Sequence, residues 1–96
     1  MRGLLKTSEV DIDKRWALAP QVAVRPEPFG ALLYHFGTRR LSFLKDPQLL
    51  AVVRGLADAS SARAACAAAG LAPDQLGPYE RALAVLAETR MIEEVP

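Results

Sequence analysis

Few side chains in this 96-residue chain could do covalent chemistry, and none stands beside a partner that would help it. His35 is the one histidine and Cys66 the one cysteine. A structural zinc centre takes four nitrogen or sulfur ligands at close spacing, so this pair cannot build one. Cys66 lies in the alanine-rich run Ala62–Ala69, where a thiol is a small apolar filler rather than a nucleophile. His35 stands in a strand-like stretch with no candidate nucleophile beside it in sequence, which points to a structural or contact role. Asp11–Asp13 and Glu93–Glu94 read as solvated charge, not as a paired acid and base. Gly30 and Gly37 are turn residues, since a phosphate-cradling loop needs a longer glycine-rich run opening a helix. The expectation is a protein that is not an enzyme, with no catalytic residue, no metal and no cofactor.

Composition narrows the class. Ninety-six residues make one modest domain, and 51% hydrophobic against 24% charged residues is a globular balance. Twelve basic and eleven acidic residues leave a net charge of +1. Arg39–Arg40 is a basic pair and not a basic cluster, too little for a nucleic-acid surface. Met1–Lys6 is too short for a signal segment, and no run approaches the roughly 20 apolar residues of a membrane span. A cytoplasmic protein is expected, without nucleic-acid or membrane partners.

The elements that must position any site are clearest between Val22 and Leu44. VAVR, ALLYHF and LSFL are rich in β-favouring residues, and PEPFG and GTRR fill the breaks between them with Pro, Gly, Thr and Arg. This is a three-stranded meander. With GTRR as the loop, Phe36 pairs with Leu41 and Tyr34 with Phe43. Leu32, Tyr34, Phe36, Leu41 and Phe43 then share one face, which the following helices are expected to cover. The other face carries Ala31, Leu33, His35, Ser42 and Leu44, mixed in polarity and either solvated or partly covered. Before the meander, residues 1–9 form a weakly organised lead-in to a single domain over 10–96. Val10 and Ile12 alternate with Asp11 and Asp13 as a short edge strand would, and Trp16 is placed to plug one end of the core.

Three helices follow. Asp46–Pro47 is an N-cap followed by a first-turn proline, and Leu49, Leu50, Val53, Leu56 and Ala57 mark the apolar face. Ser60 or Ser61 caps a second helix over Ala62–Ala69, which Gly70 ends. The third begins near Pro73–Asp74, with Pro78 as its regular start, and carries Leu76, Tyr79, Leu83 and Leu86 along one face. Met91, Ile92 and Val95 return as an extended tail against the core.

With chemistry excluded, binding remains. The last strand of a meander has a free edge that can template an extended peptide. Tyr79, Leu83 and Leu86 would line the opposite wall of a groove if the third helix lies beside that edge, or else simply fill the core. A winged-helix DNA reader is the alternative, although the third helix offers two arginines against three acids between Asp74 and Arg90. A dimerisation module is another, with the same edge pairing to its copy in a homodimer.

The segment WALAPQVAVRPEPFGALLYHFGTRRLSFLKDPQLLAVVRGLADA resembles the peptide chaperones of mycofactocin biosynthesis. More broadly, the chain resembles the PqqD-like recognition elements for ribosomally made, modified peptides. The similarity covers about Val10–Val95, and RPEPFGALLYHFGTR is its specific part. It implies an α+β, winged-helix-like fold in which a three-stranded antiparallel β-meander packs on three α-helices. It implies binding of a precursor-peptide leader by strand addition, along Leu41, Ser42, Phe43 and Leu44 and against Tyr79, Leu83 and Leu86. It further implies delivery of the peptide to a radical S-adenosylmethionine enzyme, which holds the iron–sulfur chemistry that one cysteine could not. Arg39 and Arg40 flank this groove and are placed to meet an acidic leader.

Overall fold

In the computed structural model, which describes residues 10–96, four strands are followed by three helices and a fifth strand. They are β1 (Trp16–Leu18), β2 (Val22–Glu27), β3 (Gly30–His35), β4 (Arg40–Leu44), α1 (Pro47–Gly55), α2 (Ala62–Ala68), α3 (Leu76–Glu88) and β5 (Ile92–Glu94). The lead-in expected over residues 1–9 lies outside the described residues. The architecture is α+β, with the meander ahead of the three helices as expected.

Strands β2, β3 and β4 form one antiparallel sheet in that order. Pro28–Phe29 is a two-residue turn, so Pro26, Glu27 and Gly30 join the strands instead of the loop. Pro26 is tolerated because β2 is an edge strand, where a missing amide leaves no ladder bond unmade. Gly30 is demanded by its surroundings: its φ is +148°, and a Cβ there would overlap the carbonyl oxygen of Leu44. It lets the end of β4 and the start of α1 run close across the hairpin.

The β3–β4 register differs from expectation by two residues. Tyr34 pairs with Leu41, Leu32 with Phe43 and His35 with Arg40. The loop is therefore Phe36–Arg39, closed by the Arg39 amide donating to the His35 carbonyl at 2.7 Å, with Arg39 itself at φ 62°. A shift of two preserves side-chain parity. The five residues Leu32, Tyr34, Phe36, Leu41 and Phe43 do share a face.

That face is not the core, and this corrects the larger expectation. The helices cover the opposite side, burying Ala31, Leu33, His35 and Leu44 together with half-buried Val22 and Val24. Two local features decide the outcome. Only Lys45 separates Leu44 from the cap of α1, so α1 folds back over whichever face Leu44 occupies. His35 can be buried there because its Nδ1 accepts hydrogen bonds from the amides of Gly37 and Thr38, at 3.0 and 3.1 Å. A polar ring thus becomes a satisfied cap of the β3–β4 loop.

The helix signals read well. Asp46 Oδ1 accepts from the Gln48 amide at 2.9 Å, and Ser61 Oγ from the Ala64 amide at 3.0 Å. The apolar face of α1 includes Val52, which the sequence reading passed over, while Ala57 is exposed. Helix α2 lays its small side chains Ala62, Ala65 and Cys66 into the core, and Gly70 (φ +93°) ends it. Helix α3 starts at Leu76, two residues before the expected Pro78, because a proline in the first turn has no intrahelical amide bond to lose.

The ends of the described chain close the core. Val10 and Ile12 are buried, but no edge strand forms there: Asp11–Lys14 is a turn, with the Lys14 amide donating to the Asp11 carbonyl. The Ile12 and Lys14 carbonyls instead accept from the Arg63 and Ala62 amides, satisfying the free first turn of α2. Trp16 is buried as expected, its Nε1 donating to the Asp11 carbonyl at 2.9 Å. The extended tail is β5, which pairs antiparallel with β1, Leu18 opposite Ile92 and Trp16 opposite Glu94.

Candidate functional site

Among the described residues no strand pairs with the outer edge of β4, where the sheet ends. Beside it lies α3, tied to the strand at one end and open at the other. At one end the Tyr79 hydroxyl donates to Asp46 Oδ2, just past the end of β4. At the other, Thr38 and Arg40 face Glu88, Thr89 and Arg90 across an open cleft of about 630 Å³. Helix and strand therefore run in opposite directions. The ten steps from Tyr79 to Thr89 span about 15 Å of helix and the six steps from Arg40 to Asp46 about 20 Å of strand, so the two walls are of similar length. Strand edge and helix bound a candidate groove whose open end is the cleft lined by Thr38, Arg40, Glu88, Thr89 and Arg90.

The nine residues singled out in the sequence fall into four groups around this groove. Leu44, Leu83 and Leu86 are buried in the core and support the walls from behind. Leu41 and Phe43 belong to the edge strand, but their side chains point to the sheet's outer face, away from the helices. Arg40 and Ser42 share the parity of His35 and Leu44 and so face the α3 side, with Arg40 exposed and Ser42 half-buried. Tyr79 is half-buried at the closed end, and Arg39 projects from the loop at the open end. The strand contributes its backbone as a continuous edge, while its side chains divide between two surfaces.

On the helix wall the sequence reading missed residues. Thr89 lines the cleft, and Val85, one turn earlier on the same helix face, is 52% exposed despite being apolar. Ala82 and Tyr79 continue the stripe at a spacing of three. Val85 sits one position from Leu86, and a core stripe absorbs both in sequence. Its exposure becomes visible only once α3 is seen to face the core with Leu83 and Leu86.

Electrostatics around the groove are mild. The hydrogen bond to Asp46 raises the Tyr79 phenol above its usual range, so it stays a neutral donor through the physiological interval. Elsewhere, burial pushes the Cys66 thiol up, away from thiolate reactivity. Asp13 is held below the usual carboxylate range by its hydrogen bond to Arg63, which tethers the N-terminal turn to α2. No group of three metal-binding side chains occurs among the described residues, and no described helix is long and apolar enough to cross a membrane.

Comparison with known proteins gives the family. The profile described as the Peptide chaperone MftB family matches residues 15–93. The chain belongs to that family. It is 61% identical over 102 residues to the peptide chaperone MftB of Mycobacterium ulcerans, covering 96% of this chain and 94% of the relative. It is 59% identical over 86 residues to the Mycobacterium tuberculosis protein of the same name, covering 90% of this chain and 79% of the relative. No solved structure matches. Membership confirms the resemblance to the mycofactocin peptide chaperones, and these relatives are named as chaperones, not as catalysts.

Proposed function

We propose that this chain captures the leader of a ribosomally made precursor peptide as an added strand along β4, and presents it to the radical S-adenosylmethionine enzyme of mycofactocin biosynthesis. The observation that carries this reading is the edge of β4 that no described strand pairs, with α3 tied to its far end by Tyr79 and Asp46 and standing across an open cleft from its beginning. Strand addition supplies main-chain bonds worth about 0.5–1.5 kcal/mol each net, so four or five give only modest affinity. Ordering a flexible leader costs several kcal/mol. Apolar anchors at roughly 25 cal/mol per Å² must make up the difference, and exposed Val85 with half-buried Ala82 is the apolar surface on the helix wall. Arg39 and Arg40, at the open end, would meet acidic residues of the leader.

Titration calorimetry with a synthetic leader, methylated on one backbone nitrogen at a time, tests the mode. An added antiparallel strand turns alternate amides toward its neighbour. Methylation should therefore abolish binding at every second residue and leave the residues between nearly unaffected. Uniform tolerance, or loss without that alternation, would sink strand addition. Reversing the charges of Arg39 and Arg40 should weaken binding and flatten its salt dependence, and no change would remove those two from the site.

A further inference from the structure

The apolar face that the helices do not cover is a surface without a role in the groove. Phe36 is 61% exposed, Phe43 58%, Leu41 56% and Phe29 44%. The residues form one continuous strip. Phe29 stacks tilted on Phe43 with ring centroids 6.3 Å apart, and Tyr34 meets Phe36 edge-on at 5.2 Å. The cross-strand pairs Leu32–Phe43 and Tyr34–Leu41 join these aromatic pairs across the sheet. Aromatic side chains carry on the order of 200 Å² each, which makes the exposed strip about 400 Å² of apolar surface. Patches of that size on a single chain mark interaction sites.

Charge selects the occupant. On this face Arg25 and Lys45 stand against Glu27, since Arg40 shares the parity of Leu44 and Arg39 lies in the loop at the groove's open end. Arg25 lies opposite Leu32 on this face, and Lys45 adjoins Phe29 and Phe43 in an apolar hollow. Arg25 and Glu27 pair with each other at 3.0 Å, which leaves Lys45 as the net charge of the face. A second copy would bring two cationic rims together over roughly half of the 800 Å² per partner that stable dimers bury. An apolar patch ringed by carboxylates on a different protein answers both features.

We infer that the outer face of the β2–β3–β4 sheet docks an acid-rimmed apolar patch on the enzyme that receives the peptide. The inference rests on the function proposed above and adds the surface that joins chaperone to enzyme. The groove lies on the α3 side of β4 and the docking strip on the reverse of the sheet. One molecule can therefore hold leader and enzyme together.

The test uses the full chain, its radical S-adenosylmethionine enzyme and the synthetic leader. Phe29→Asp with Phe36→Asp changes two exposed residues outside β4, and circular dichroism checks that the fold is kept. Enzyme affinity should fall at least tenfold while leader affinity stays within twofold. Arg25→Glu with Lys45→Glu should weaken enzyme binding several-fold and flatten its salt dependence. Unchanged enzyme affinity in the folded double-aspartate variant overturns the inference. So does a parallel loss of leader affinity, which would assign the strip to the peptide. A concentration-dependent dimer that the variant abolishes would assign it to a second copy. Wild-type chain that binds leader but no enzyme also refutes the docking. Chain that binds enzyme but no leader refutes the peptide groove and leaves the docking surface standing.

Discussion

Tyr79 and Asp46 tie the beginning of α3 to the junction of β4 and α1. Both carboxylate oxygens of Asp46 are engaged, Oδ1 by the Gln48 amide that it caps and Oδ2 by the Tyr79 hydroxyl. One side chain thus ends the strand, starts α1 and fixes the near end of the helix wall. Tyr79→Phe should lower stability by about 0.5–1 kcal/mol, the net worth of one part-exposed hydrogen bond. Asp46→Ala also loses the cap and should cost about 1–2 kcal/mol. Denaturant unfolding of both variants and the pair should give a favourable coupling between them. Additive losses would show the two residues to be independent.

The same bond makes a prediction about pH. The folded phenol of Tyr79 titrates above its unfolded value of about 10. Its contribution is therefore fully present below the unfolded value and is lost as pH rises through the higher folded one. Stability measured between about pH 9 and 12 should fall more steeply in the wild type than in Tyr79→Phe. Equal slopes would remove the bond as a source of alkaline sensitivity.

Glycines should divide by position. Gly30 has no room for a Cβ against the Leu44 carbonyl and a φ that L residues rarely adopt. Gly30→Ala should cost more than about 2 kcal/mol and loosen the end of β4. At Gly55, with φ −87° and open space around the site of a Cβ, alanine should be neutral or stabilise by about 0.4–1 kcal/mol. Thermal melts of the two variants check both, and similar shifts would contradict the assignment.

Cys66 should be inert in the folded protein. It is buried among the small side chains of α2, and loss of hydration pushes its thiol up. Alkylation by iodoacetamide at pH 8 should be slower than in denaturant by roughly two orders of magnitude, because it waits on opening of the helix. Rapid labelling under native conditions would mean that α2 opens readily.

Local chemistry made most of the fold legible in the sequence. Asp46–Pro47, Ser61 and Gly70 named the helix ends because capping is decided within a turn, and Gly30 marked a hairpin because its neighbours admit no Cβ. The paired ends β1 and β5 were only half legible. Three-residue strands carry no periodicity, and Leu18 finds Ile92 across more than seventy residues. Of the groove, the strand could be read but the helix wall only in part. Which α3 residues face the core depends on how α3 settles against β5 and α1.

Reading the sheet's faces required information that composition does not hold. The aromatic side is the more hydrophobic, so burial on that ground alone favours it, yet the side with Leu33, His35 and Leu44 is covered. Covering it is possible because the Gly37 and Thr38 amides satisfy His35, and necessary because α1 follows Leu44 so closely. Substitutions test this inversion directly. Leu33→Ala removes a side chain with no exposed surface and should cost about 2–5 kcal/mol. Phe36→Ser, on the aromatic side, should change stability by no more than about 0.5 kcal/mol, although the side chain it removes is larger. Urea unfolding of the two variants decides between the faces: a costly Phe36→Ser and a mild Leu33→Ala would return the aromatic side to the core.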